Sequence, residues 1–354
     1  MSDRGTSPHR IASLDGLRAI AITMVVISHL VALPAIPSST MGDTGVRIFF
    51  VLSGFLITTL LIQEHSKTGR VELLRFYIRR CFRIFPAFYL YLGVLSVAGA
   101  SGWIMLRPND LAKAAFYVVD YCPWDSTSNF VRHIWSLSVE EQFYLVWPVA
   151  FWAWGQERAK WVAVGSIVLS PVWRLLVFRF LPAAAVTIDR RFDCISDALA
   201  SGCLLACLNS TLGGSARYRT ALGSRWAHLL PVMVLCAASV STHPHVYYGF
   251  ADSVMNLGTA LYLHRCILFP PRVLNLGAIR QIGLMSYSIY LWQQLFCSPH
   301  EGITRLPALV ALAFTLAAAS LSYYLIEGPV QRLGRRLTKA SGLPSPVDLV
   351  RQAR

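Results

Sequence analysis

LDGLRAIAITMVVISHL, residues 14–30, is apolar enough to cross a bilayer yet carries an arginine near its start and a histidine near its end. An ionisable group at membrane depth costs a few kcal/mol or more, so a chain that keeps one is suspected of using it. The rest of the sequence supplies the setting. Of 354 residues 55% are hydrophobic and only 14% charged, with a mean hydropathy of +0.50, outside the soluble globular range. The composition describes an all-α, polytopic integral membrane protein.

Windows of membrane-crossing length fall at 17–34, 46–63, 84–106, 137–154, 161–178, 194–212, 227–241, 247–268, 282–296 and 306–326. They predict about ten transmembrane helices, and an even number puts both termini on one side. Cytoplasmic termini place most of the 32 Lys and Arg in cytoplasmic segments, as the positive-inside rule requires. A short N-terminal tail (1–13), one membrane domain (14–333) and a basic C-terminal tail (334–354) follow. The start MSDRGTSPHR shows no signal-peptide cleavage pattern, so the first helix is expected to be its own insertion signal.

The net charge of +14 does not point to nucleic acid, because the basic residues cluster in short juxtamembrane loops and in the tail QRLGRRLTKASG. Topology and anionic headgroups explain them. The eight cysteines contain no Cys-x-x-Cys pair. Cys203 and Cys207 share a helical face as small apolar packing, and neither a disulfide framework nor a metal site is expected.

Three clusters carry chemistry. Arg18 and His29 are eleven residues apart, which puts them on one helical face about 16 Å apart along the axis. A neutral imidazole at that depth accepts a proton or acts as nucleophile; the bland alternative is a buried His bonded to a carbonyl. In RFYIRRCFRIFP (75–86), Arg80 and Arg83 at a spacing of three can present two forks to phosphate oxygens, or serve only as a cytoplasmic anchor. HIWSLSVEEQFYLVWP (133–148) reads as a helix start, with Ser136 or Ser138 as N-cap and Glu140 and Glu141 in the first turn. Glu140 can equally reach inward to a histidine or a substrate hydroxyl.

Taken together with GVRIFFVLSGFLI (45–57), SYSIYLW (286–292) and YLIEGPVQRL (324–333), these segments resemble integral-membrane acyltransferase family 3, in the family's order across nearly the whole chain. The resemblance implies transfer of an acyl group, usually acetyl, from cytoplasmic acetyl-CoA or another acyl-CoA to a carbohydrate hydroxyl. Exopolysaccharide, O-antigen or a lipo-oligosaccharide are acceptors of that kind. It implies a co-substrate rather than a bound cofactor, and a bacterial inner membrane.

The family's basic-residue-to-histidine motif falls on Arg18 and His29, its Arg-x-x-Arg motif on Arg80 and Arg83, and its Trp-Ser-Leu-x-x-Glu segment on Trp135 and Glu140. The expected roles are acyl-CoA binding for Arg18, Arg80 and Arg83 and catalysis for His29, with Glu140 orienting it. Ser53, Trp135 or a backbone amide near Gly54 would supply an oxyanion donor. Direct transfer and an acyl-histidine intermediate both fit. Where many relatives carry His after the Leu-Trp of SYSIYLW, this chain has Gln293 and Gln294. An appended SGNH-type domain is not expected.

Weaker leads are Arg191, Asp193 and Asp197 as an outer ion pair, and His243, His245 and His264. The competing class is a transporter or flippase without acyl chemistry, but neither internal repeats nor paired broken helices are seen.

Overall fold

The computed structural model describes residues 11–30, 38–231, 233, 247–297 and 306–339. The fold is all-helical, with no strand among the described residues. Its main helices are α1 (Ala12–Leu30), α2 (Ser38–Thr68), α3 (Leu73–Ala100), α4 (Ile134–Phe180), α5 (Phe192–Gly214), α6 (Asp252–Leu268), α7 (Gly277–Leu284), α8 (Ser286–Cys297), α9 (Ala308–Leu321) and α10 (Gly328–Lys339). Six helical stretches among the described residues are long and apolar enough to cross a membrane: Ala12–Leu30, Thr40–Thr68, Leu73–Ala100, Asn129–Phe180, Phe192–Gly214 and Ala308–Leu337.

The stretch through α4 holds two of the expected windows. Gly155, at φ 70° and ψ 173°, breaks the helix between them, in a region of backbone space that side-chain-bearing residues avoid. The window at 282–296 is divided, because the helix is interrupted at Met285 between α7 and α8. The window at 306–326 runs instead through a π-helical turn, Ser322–Glu327, into α10, so residues 334–339 continue the last helix. The window at 227–241 falls mostly outside the described residues, as do His243 and His245.

Small residues let the helices approach. Gly54 of α2 and Gly202 of α5 sit at one crossing: a Cβ on Gly54 would lie 2.0 Å from the Leu199 carbonyl oxygen, and one on Gly202 2.0 Å from that of Val51. Close backbone approach of this kind replaces the hydrophobic drive that lipid cannot supply. α1 is gripped by a much later part of the chain. A Cβ on Gly283 would meet the Asp15 carbonyl oxygen at 1.8 Å, and Ser13 Oγ donates to the Cys266 carbonyl at 2.8 Å. The main core gathers Ile22, Val25, Phe50, Tyr91, Phe143, Trp147 and Leu291 from five helices.

The segment between α3 and α4 is folded rather than loose. Asp110 accepts from the backbone N–H groups of Arg107 (2.8 Å) and Ser128 (3.1 Å). Asp120 accepts from Gln142 Nε2 (3.0 Å) and from the Phe192 amide (3.3 Å), tying the segment to α4 and α5. Burial pushes the Asp120 carboxyl up to about 7.

α4 begins at Ile134 directly after a one-turn helix, Asn129–Arg132, so the expected serine cap is replaced. Ser136 and Ser138 lie inside the helix. Ser136 Oγ sits 2.6 Å from the Tyr290 hydroxyl and Ser138 donates to the Ile134 carbonyl.

Candidate active site

α1 carries Arg18 near one end and His29 near the other. The His29 ring is half-buried, and its Nδ1 lies 2.9 Å from the Val25 carbonyl oxygen one turn back. A carbonyl only accepts, so Nδ1 is the protonated nitrogen and the Nε2 lone pair is left for chemistry. Gln293 of α8 approaches the same ring, where the sequence shows glutamine in place of histidine.

A second imidazole stands nearby. His133 is buried and lies within electrostatic range of His29. Its ring packs edge-on against Tyr91 at 5.6 Å and tilted against Tyr290 at 5.5 Å. The Tyr290 hydroxyl donates to the His133 carbonyl at 2.7 Å, fixing the start of α4 against α8. Neither ring nitrogen of His133, nor Gln293 Oε1, has a partner of good hydrogen-bond geometry among the described residues. In the sequence His133 stands out only as the first letter of a motif. The available signal was a histidine directly ahead of an apolar, membrane-length helix.

Glu140 belongs to a different group. Ser53 Oγ donates to Glu140 Oε1 at 2.7 Å, and the Tyr144 hydroxyl lies 3.3 Å from Glu140 Oε2 and 3.2 Å from Ser53 Oγ. The Arg80 guanidinium is centred 4.4 Å above the Tyr144 ring, with Glu140 and Glu141 both in its field. Arg18 is the other cation that Glu140 feels. Glu140 thus feels the Arg18 end of α1, and it also lies in the field of Tyr290, which packs on His133. His29 lies eleven residues and about 16 Å further along that helix, and no hydrogen bond between Glu140 and His29 occurs among the described residues. Tyr144, one turn after Glu140 on the same face, went unremarked in the sequence because a tyrosine in an apolar span first suggests the aromatic belt.

The two arginines of Arg-x-x-Arg part company. Arg80 turns to the Tyr144 group, while Arg83 lies in the field of Glu327, which also takes a short hydrogen bond from Ser288 Oγ. Arg18 lies 3.8 Å from Asp15. Of the expected oxyanion donors, Ser53 already gives its hydroxyl proton to Glu140, and Trp135 packs edge-on to Phe50 at 5.9 Å.

Further charges pair within the bundle. Arg174 and Asp197 are both fully buried at 3.2 Å, with Ser253 Oγ bonded to each. Arg47 meets Asp252 at 2.7 Å and Asn256 at 3.4 Å. Of the outer trio expected to pair, Arg191 and Asp193 do so at 3.0 Å, and Asp197 goes to Arg174 instead. His264 Nδ1 lies 2.8 Å from the Tyr218 hydroxyl. No group of side chains suited to a metal occurs among the described residues.

A family model described as an acyltransferase domain matches residues 11–345. The peptidoglycan O-acetyltransferase OatA of Listeria monocytogenes is 30% identical over 92% of this chain and 56% of its own length. The O-acetyltransferase OatA of Staphylococcus aureus is 28% identical over 93% and 58%. The putative peptidoglycan O-acetyltransferase YrhL of Bacillus subtilis is 28% identical over 94% and 56%. The chain thus spans somewhat more than half the length of these relatives. No solved structure matches it.

Proposed function

Because the chain belongs to that acyltransferase family, we propose that it is a membrane O-acyltransferase moving an acyl group, acetyl in the first instance, from a cytoplasmic acyl-CoA to a hydroxyl of a cell-envelope carbohydrate. The relatives named for peptidoglycan make a peptidoglycan-type glycan the first acceptor to test, ahead of exopolysaccharide, O-antigen or a lipo-oligosaccharide. The reading includes ten spans, cytoplasmic termini and a bacterial inner membrane, so that the donor meets the Arg18, Arg80 and Arg83 end of the bundle.

The observation that carries it is the His29 ring on an apolar helix, its Nδ1 donating to the Val25 carbonyl so that the neutral ring's lone pair lies on Nε2, with Gln293 alongside. In the direct route Nε2 takes the proton of the acceptor hydroxyl as its oxygen attacks the thioester carbonyl. The tetrahedral intermediate collapses with loss of the thiolate, which recovers the proton from His29, giving an ester and CoA thiol. The transporter alternative leaves this set of groups without a task.

The test compares O-acyl esters on envelope and secreted glycans by mass spectrometry. The strains lack the gene and are complemented at matched membrane levels with wild type or His29→Ala. Wild type restores an ester and His29→Ala restores under 1% of it. Full restoration by His29→Ala would make the histidine a packing residue and sink the mechanism.

A further inference from the structure

Three buried arginines each have a carboxylate of their own. Arg47 pairs with Asp252 at 2.7 Å, Arg174 with Asp197 at 3.2 Å and Arg190 with Asp189 at 2.9 Å. A fourth acid is left over. Asp43 of α2 lies in the field of Arg47, Arg190, Asp189 and Asp252, yet it makes no ion pair or hydrogen bond among the described residues. Its side chain is exposed while Thr44, Val46 and Arg47 just after it are buried. A candidate membrane span that keeps an ionisable group without a partner is suspected of using it.

The position of Asp43 ties it to the imidazoles. Gly42, its neighbour in sequence, packs on α1, where an added Cβ would lie 2.7 Å from Ser28 Oγ, one residue before His29. Asp43 is also felt by Tyr290, whose ring packs on His133. A ligand held by Asp43 therefore lies beside the site where transfer is proposed. Under the proposed topology it arrives at the end of α1 opposite Arg18, the end that faces an envelope glycan.

The chemistry suits sugar hydroxyls. Each hydroxyl donates one hydrogen bond and accepts others, and a carboxyl group serves it in either protonation state, because one oxygen always accepts. The same corner keeps an unspent donor. Arg190 stacks 3.7 Å over the Trp124 ring, and its buried Nε has no partner among the described residues. A few polar groups converging in this way, acceptor beside donor, fix the orientation of a bound ligand.

Resting on the O-acyltransferase reading above, we propose that Asp43 binds the acceptor, its carboxyl taking hydrogen bonds from hydroxyls of a neutral sugar ring presented to His29. No bond is made or broken at Asp43. It decides how firmly the sugar is held and not how fast the bound sugar reacts.

The test measures transfer from labelled acetyl-CoA to chitotetraose, a neutral amino-sugar oligomer, by purified protein in lipid nanodiscs. Asp43→Leu should raise KM for chitotetraose about tenfold, the loss expected for a hydrogen bond or two, and leave kcat and KM for acetyl-CoA within twofold. Asp43→Asn, which keeps an acceptor oxygen of similar shape, should stay within about threefold of wild type in every constant. A KM for chitotetraose unchanged in Asp43→Leu would overturn the proposal. So would a fall in kcat with both KM values raised, which marks damage to the fold. A wild type that hydrolyses acetyl-CoA yet labels no sugar removes the subsite and leaves the donor reading standing. A wild type that consumes no acetyl-CoA at all removes that reading, and the subsite with it.

Discussion

A single imidazole illustrates how little of the chemistry resides in residue type alone. His29 becomes useful because the helix that carries it supplies the Val25 carbonyl for one ring nitrogen, which puts the neutral ring's lone pair on the other. Asp120, outside the candidate spans, shows the reverse dependence. Its carboxyl is raised from 3.8 to about 7 by burial, the largest influence on it. The folded state therefore keeps a proton that the unfolded state has lost, and stability falls as pH rises between those two values. Asp120→Asn should flatten that slope. Melting temperatures in detergent from pH 4.5 to 7.5 measure it, and an unchanged slope would mean that another group titrates. In sequence this aspartate was one polar residue of a loop, because burial by α4 and α5 is a long-range fact.

Helices bring these residues together, and their crossings decide how tightly. At the Gly54 and Gly202 crossing an added methyl meets backbone, which cannot rotate away. Gly202→Ala should cost about 1–3 kcal/mol. Gly165→Ala, where nothing lies within 4 Å of the new Cβ, should be neutral or slightly stabilising by helix propensity. Thermal melts in one detergent rank the pair, and equal losses would refute the packing account.

Much at this scale was legible beforehand. The apolar windows anticipated α1, α2, α3 and α5 and the break inside α4, since hydropathy measures what the bilayer demands. The interruption at Met285 and the π turn at Ser322–Glu327 were not, because both keep the composition apolar while changing only the bonding. The partners of Glu140, Arg83 and Asp197 were equally hidden. All but Tyr144 lie on another element, and one sequence with helical periodicity fixes a side chain's face without saying which element meets it.

The whole molecule is a bundle whose candidate-site groups fall around two places on α1, one near Arg18, Arg80 and Glu140 and one near His29. Under the proposed topology the first faces the cytoplasm. Reporters fused to each terminus, one fluorescent only in the cytoplasm and one active only outside it, should both report cytoplasm. A terminus on the opposite face would break the even span count and invert the two.

The grip on α1 also has a history in time. Ser13 is bonded to Cys266, 253 positions away, and Gly283 seals Asp15 from later still. At about 5–20 residues per second of synthesis, the first helix, already packed by α2, waits roughly 13–50 s before the residues that grip its start exist.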